Sequence, residues 1–428
     1  MDAEAENPSP IVEGRTIITA ETIERPVAER PTHDTIDAIA EWLIGDARRI
    51  VSAAAGLDEY AWRLHAAGVP LLRVTLHSGT LHPQFLGAAF VWWRDTGRTV
   101  RVMIKHEIAD LIPYDINPVR RVREGGETLR RHLEGSEAQF DFAVLHEIKE
   151  RGATDYLALP VGGVYGPSSY MATYVTDQPG GFSASQIADL ERVSVRLSIM
   201  ADMHNQKHIA ENVLKAYLGQ HTGPRVLAGQ IRRGTGEAVA AVLWSSDLRG
   251  FTHLSDRGLP DQVIAILDQI FDAQARAITD HGGEILKFIG DGLLAIFPVA
   301  TPADAAAAAA GAMAAAKEAL QAVHALDHGI AGGPPLKMVV ALHYGTAIYG
   351  NIGAADRLDF TVIGPAVNLA SRIEVVAKTL NLPLVVSDDL ARIYSGRLRS
   401  LGLHQLRGLK QPHELFAPAE PAAGPGGS

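Results

Sequence analysis

Residues 284–297 read EILKFIGDGLLAIF, two apolar runs meeting at Gly290-Asp291-Gly292. That pattern specifies an antiparallel hairpin, because glycines on both sides of one residue let the backbone turn tightly and approach a neighbour closely. The chain must therefore carry a sheet here, and Asp291 must stand at a hairpin tip. An aspartate in such a turn is ordinarily turn chemistry alone. Lys287 sits within the apolar run, flanked by Leu286 and Phe288. A lysine in that setting either snorkels to solvent or meets a specific acceptor, and taken alone snorkelling is the commoner outcome.

The surrounding pattern places the hairpin in a domain. A strand over 238–245 precedes a helix over 260–281. After the hairpin come an Ala-rich helix, strands over 337–344 and 359–363, and a helix over 366–379. Strand pairs alternating with helices in this order suggest a ferredoxin-like α+β sheet covered by helices. The first strand runs straight into SSDLRGFT. Asp247 at its end is placed to bind a hard cation through oxygen. Backbone N–H groups around Gly250, Phe251 and Thr252 could cradle phosphate oxygens. Asp247 and Asp291, each at the end of a sheet element, form a candidate two-metal pair. In LDFTVIGPAVNLASRIE, Asn368 and Arg372 are four apart and share a helix face. An amide beside a planar guanidinium suits a sugar oxygen next to a phosphate, while the plainer reading is a solvated face.

SSDLRGFT, the KFIGDG hairpin, HYGTAIYGNIG and TVIGPAVNLASR, in this order, resemble the class III adenylate/guanylate cyclase catalytic domain over about residues 238–417. The resemblance implies that Asp247 and Asp291 bind metal, two Mg2+ or Mn2+ ions per site, with the Leu248 carbonyl as a further ligand. It implies that Lys287 and Thr361 select the purine. Guanylate cyclases usually carry Glu and Cys at those positions, and the Lys/Thr pair is similar to a bacterial adenylate-cyclase subtype. An ammonium can donate to adenine N1, whereas guanine N1 carries a proton and calls for a carboxylate. Asn368 and Arg372 match the ribose-orienting and transition-state residues. A lysine for the terminal phosphates falls near RGLKQP, where Lys410 is the candidate and Arg407 the alternative. The implied activity is conversion of ATP to cyclic AMP by a homodimer with interfacial sites. The competing readings are a guanylate cyclase and an inactive cyclase-like regulatory module.

The N-terminal half is less specific. Residues 1–33 read as a disordered lead, and 34–185 as a mixed α/β domain with strands over 71–76, 87–93, 99–104, 155–160 and 169–175. The helical pattern over 35–65 is expected to break near Gly56. DYLALPVGGVYG followed by GGFSASQIADLE resembles the end of a GAF-type sensor domain, which implies a small-molecule ligand. Trp92, Trp93, His82, His106 and His146 could line its pocket, although core aromatics and surface histidines are commoner. Ile187, Leu190, Val193, Leu197 and Met200 recur at helical spacing within a connecting segment over 186–237, either as core packing or as a parallel dimer seam. Residues 418–428 read as a flexible tail.

Composition sets the remaining bounds. A net charge of −10 argues against nucleic acid as the main partner. The chain contains 0 cysteines, which removes disulfides and thiolate chemistry and fits a reducing compartment. The acidic start MDAEAENPSP lacks signal-peptide architecture. The Ala tract over 303–316 is too short and too weakly apolar to span a bilayer. A cytoplasmic protein without membrane insertion is the expectation.

Overall fold

The structure, a computed structural model, describes residues 17–106, 118–164, 166–251, 255–256, 258–327, 336–354 and 356–419. The chain divides into two compact units, Met1–Val213 and Leu214–Ser428. Among the described residues no helix is long and apolar enough to cross a membrane.

In the N-terminal unit the strands are β1 (Ile17–Glu24), β2 (Leu71–Gly79), β3 (Phe85–Trp93), β4 (Arg98–Lys105), β5 (Leu129–His132), β6 (Asp155–Gly163) and β7 (Gly166–Thr176). They form an antiparallel sheet in the order β1-β4-β3-β2-β7-β6-β5. One face packs on the helices Ile36–Ile44, Ala53–Ala66 and Ala184–Leu218 through Leu43, Leu57, Tyr60, Leu190, Val193 and Leu197. The other face meets the shorter helices Pro118–Gly125 and Ala143–Glu150 through Val122, Leu145 and Ile148. The unit mixes helices and strands, but it takes in β1 and the helix Ala184–Leu218, beyond the expected bounds of 34–185.

Two expectations need correction, and one open alternative is decided. Residues 17–24 are not part of a disordered lead: they pair with β4 as β1. The edge is fixed because Ile23 packs on the core, while Arg25 Nε bonds the buried Asp58 at 2.5 Å. The helical stretch breaks at 45–52, not at Gly56. Gly56 lies inside a helix against Met200, where a Cβ would come within 2.6 Å of that sulfur. The absence of a side chain at Gly56 lets Met200 pack directly on this helix. Finally, Leu190, Val193, Leu197 and Met200 are buried in this unit's own core, so they form no dimer seam. A different stripe of the same helix, Val195, Ile199 and Met203, is exposed at spacings of four residues.

In the C-terminal unit the strands are β8 (Gly236–Arg249), β9 (Glu284–Ile289), β10 (Gly292–Val299), β11 (Lys337–Gly353), β12 (Leu358–Ile363), β13 (Leu384–Ser387), β14 (Leu398–His404) and β15 (His413–Pro418). Their sheet runs β14-β15-β13-β11-β8-β10-β9, with β12 paired to the far end of β11. β11-β8-β10-β9 places the fourth, first, third and second strands side by side and antiparallel, with helices Pro260–Asp280 and Ala305–Ala325 between them in sequence. That is the ferredoxin-like order the sequence suggested.

Alternation along β8 explains why both faces are covered. Val242 and Trp244 point to the core under the two ferredoxin helices. Ala241 and Leu243 point the other way, toward the helix Pro365–Thr379. Ser245 and Asp247 share the parity of Leu243, so both face that third helix.

Candidate active site

β8 and β10 carry the two aspartates together. Leu293 pairs with Ser246, and that antiparallel register sets the β9–β10 turn beside the end of β8. Gly292 makes the approach possible: a Cβ there would lie 2.0 Å from the Ser246 carbonyl oxygen. Gly290 turns the chain at a φ of 62°. Burial raises the Asp291 carboxyl above its ordinary value and the Asp247 carboxylate raises it further, while backbone N–H groups of Asp291 and Leu248 and the Lys378 charge oppose the shift.

Two carboxylates in mutual repulsion need a cation. The structure supplies one from Lys378, whose ammonium pairs with Asp247 and lies 2.9 Å from Glu374 Oε1. Burial works against that ammonium, but its hydrogen bonds to Asp247 and Glu374 outweigh it and hold its pKa above the usual lysine value. Ser245 Oγ donates to Glu374 Oε2 at 2.5 Å, closing a chain of polar contacts along this face of β8. The donor set fits a hard divalent cation: carboxylate oxygens, with the Leu248 backbone alongside. Among the described residues no group of three or more ligating side chains gathers anywhere, so further ligands would come from water, backbone or a polyphosphate.

A second cluster forms at the other end of the hairpin. Lys287 on β9 pairs with the Asp359 carboxylate on β12. Asp359 and Thr361 are alternate residues of β12 and so share a face, with Thr361 7% exposed and paired to Gly350 of β11. The expected purine-selecting positions are therefore adjacent, and Lys287 does not simply snorkel.

Asn368 and Arg372 lie on the helix Pro365–Thr379, Asn368 exposed and Arg372 partly buried. A Cβ on Gly408 would stand 3.6 Å from Arg372 Nη2, which places the 407–410 turn beside that guanidinium. Lys410 and Arg407 are both exposed there. Gly250 is exposed at a φ of 75°, the left-handed conformation a nest requires, and Phe251 packs on the core. Thr252 lies outside the described residues.

One chain does not bring these groups into one site. Lys378 reaches Asp247, whereas Asn368 is ten residues earlier on the same helix, roughly 15 Å along its axis. Lys287 lies four residues before Asp291, inside β9 and not at its turn. Sequence reasoning missed Asp359, Glu374 and Lys378. Strand alternation with Thr361 could have found Asp359. The Glu374/Lys378 pair has the i,i+4 spacing of an ordinary solvated ion pair, so only the fold reveals its target.

Comparison with known proteins bears on the domain that carries these residues. Residues 234–399 match the family described as the adenylate and guanylate cyclase catalytic domain. An adenylate cyclase of Anabaena cylindrica is 33% identical over 146 residues, which is 34% of this chain and 29% of that protein. Among solved structures, an adenylyl cyclase from P. aeruginosa is 25% identical with a TM-score of 0.38, covering 45% of this chain and 100% of that one. A guanylyl cyclase is 30% identical with a TM-score of 0.35, covering 44% and 97%. The C-terminal unit is a nucleotide cyclase catalytic domain. Residues 234–399 thereby belong to the class III adenylate/guanylate cyclase catalytic domains, and the chain spans less than a third of the length of that Anabaena relative.

Proposed function

We propose that the protein is an adenylate cyclase converting ATP to 3′,5′-cyclic AMP and pyrophosphate as a homodimer. The observation that carries this reading is the approach of Asp247 and Asp291, with Lys287 and Thr361 gathered separately on the same sheet. The ribose 3′-oxygen attacks the α-phosphorus in line, forming the new P–O bond as the bond to the β-phosphate breaks. Two divalent ions, Mg2+ or Mn2+, held by Asp247, Asp291 and the Leu248 carbonyl, would acidify the 3′-hydroxyl and offset charge on the polyphosphate. Arg372 binds the equatorial oxygens as charge builds there. Asn368 orients the ribose. Lys410 or Arg407, on the turn beside Arg372, receives the terminal phosphates. Lys287 donates to adenine N1, which guanine cannot accept because its N1 bears a proton.

The separation of these groups within one chain supports a composite site: Asp247 and Asp291 from one protomer, Lys287, Thr361, Asn368 and Arg372 from its partner. Apolar side chains exposed beside both halves support the same arrangement. Phe288 is 52% and Ile289 57% exposed next to Asp291. Ile348 and Ile363, paired across β11 and β12, are also exposed. The Val195, Ile199 and Met203 stripe offers a second contact between copies.

Assay of the purified protein with ATP and with GTP, each with Mg2+ and with Mn2+, tests the reading. Cyclic AMP formation dependent on divalent metal is expected. Preferential turnover of GTP, or no turnover of either nucleotide, overturns it.

A further inference from the structure

Lys378 stands where the proposed metal must go. Ser245 and Asp247 project from the same face of β8 toward the helix Pro365–Thr379, which sets Glu374 and Lys378 against them, one turn apart. The Lys378 ammonium pairs with Asp247 Oδ2 and lies 2.9 Å from Glu374 Oε1. The second Glu374 oxygen, Oε2, accepts from Ser245 Oγ at 2.5 Å. Glu374 is thus fixed through both oxygens, its side chain 13% exposed, whereas Asp247 is 23% and Lys378 36% exposed. Among the described residues Asp247 makes no ion pair except that with Lys378. One carboxylate is anchored to the sheet, and the other is held by the ammonium.

An ammonium carries three donors and no lone pair, so it cannot join the ligand set of a metal. It also opposes a divalent ion on the same carboxylate, because two positive centres that close repel strongly in a partly desolvated site. Metal and Lys378 therefore compete for Asp247. The lysine has a place to withdraw to. Glu374 sits on its own helix and already touches it, and the four-carbon stem turns about its own bonds without moving the backbone. Ser245 keeps Glu374 in place while the ammonium moves.

We propose that Lys378 is a resident counter-cation of the metal site: it neutralises Asp247 in the metal-free domain, withdraws onto Glu374 when a divalent ion enters, and so sets the metal concentration at which the site fills. The proposal rests on the reading of Asp247 and Asp291 as metal ligands. It makes Lys378 and Glu374 positioning residues, which act on the ion through Asp247.

Mn2+ binding by the full chain is followed by electron paramagnetic resonance without nucleotide, alongside thermal unfolding in EDTA and in saturating Mn2+. Lys378→Met should bind Mn2+ more tightly than the parent, by about fivefold, the range of one partly exposed ion pair. In EDTA the same variant should unfold at a lower temperature than the parent, and Mn2+ should narrow the gap, because the ion supplies the missing charge. A lysine that only supports the fold gives the opposite sign, weaker binding at a disturbed site. Lys337→Met controls for charge in general. Lys337 pairs in register with Arg249, two residues along β8 from Asp247, and among the described residues makes no ion pair with Asp247. Its loss should leave Mn2+ affinity nearly unchanged. Glu374→Gln should weaken Mn2+ binding in the parent but have little effect when added to Lys378→Met, because its part is to receive the ammonium. An equal effect of Glu374→Gln in both backgrounds overturns the proposal, as do unchanged or weaker binding by Lys378→Met and equal tightening by Lys337→Met. Each of these leaves the metal site itself standing. Absence of Mn2+ binding in the parent, or binding that survives both Asp247→Asn and Asp291→Asn, overturns the ligand reading and this proposal with it.

Discussion

The ammonium of Lys287 is held by the carboxylate of Asp359, two residues ahead of Thr361 on the same face of β12. Both side chains are partly exposed, so the pair adds little to stability. Its consequence is positional: in the proposed site the lysine's other protons would meet the base edge, and the carboxylate would stand beside the base's exocyclic group. A carboxylate accepts from the 6-amino group of adenine but opposes the 6-oxo group of guanine.

Asp359→Ala should therefore lower the ratio of kcat/KM for ATP over GTP by about tenfold, within the 1–3 kcal/mol of a lost base-edge hydrogen bond. Steady-state kinetics with both nucleotides would check it. An unchanged ratio would remove Asp359 from purine selection while leaving the cyclase assignment intact.

The two glycines of the hairpin turn should behave differently. Gly292→Ala puts a methyl 2.0 Å from the Ser246 carbonyl oxygen, a clash only a separation of β8 and β10 can relieve. Overpacking of this kind costs about 1–3 kcal/mol, and here it also parts Asp291 from Asp247. Gly290→Ala meets nothing within 4 Å and bears only the strain of its positive φ, about 1 kcal/mol. Thermal unfolding with Mn2+ binding separates them: Gly292→Ala should lose both stability and metal affinity, Gly290→Ala mainly a little stability.

This contrast also explains what the sequence could and could not convey. Asp247 and Asp291 stand out as a candidate pair because each lies at or beside the end of a sheet element, whereas Lys287 and Thr361, inside β9 and β12, are singled out only by the family resemblance. Lys378 and Glu374 are illegible because their meaning depends on β8, more than a hundred residues earlier. Ile17–Glu24 is hidden in a stretch rich in proline and charge with little periodicity, and only the edge of β4 gives it a partner. The helical stripe of Leu190, Val193, Leu197 and Met200 had the right period for either a seam or a core, and period alone cannot choose between them.

Acid should weaken the C-terminal unit through His343. This β11 side chain is 4% exposed, with Nδ1 2.9 Å from Ser387 Oγ. Burial lowers its pKa to about 4 despite the pull of Asp389 and Asp388. Between the unfolded value near 6.5 and that folded value, the unfolded chain takes up a proton that the folded chain refuses. Stability is thus fully retained above about pH 6.5 and falls as pH drops toward 4, by up to roughly 3 kcal/mol. Urea unfolding at pH 7.5 and pH 5 should show the loss, and His343→Gln should flatten it. An equal slope in the variant would assign the acid sensitivity to other groups.

The composite-site arrangement makes the sharpest demand. Asp247→Ala and Arg372→Ala proteins should each be nearly inactive alone, because both sites of each homodimer carry a lesion. Mixed under conditions that allow subunit exchange, half the dimers are heterodimers by random pairing. In each of these one site carries both lesions and the other none, since the two-fold axis exchanges the contributing protomers. Activity should return to about a quarter of the parent's. Arg372→Ala mixed with Asn368→Ala should stay inactive, because both lesions fall on the same half-site and every composite site receives one of them. Recovery in the first mixture but not the second is the expected pattern. Absence of recovery in the first, with exchange demonstrated by differently tagged subunits, would mean that each site is built within a single chain, despite the roughly 15 Å that separate Asn368 from Lys378 along their helix.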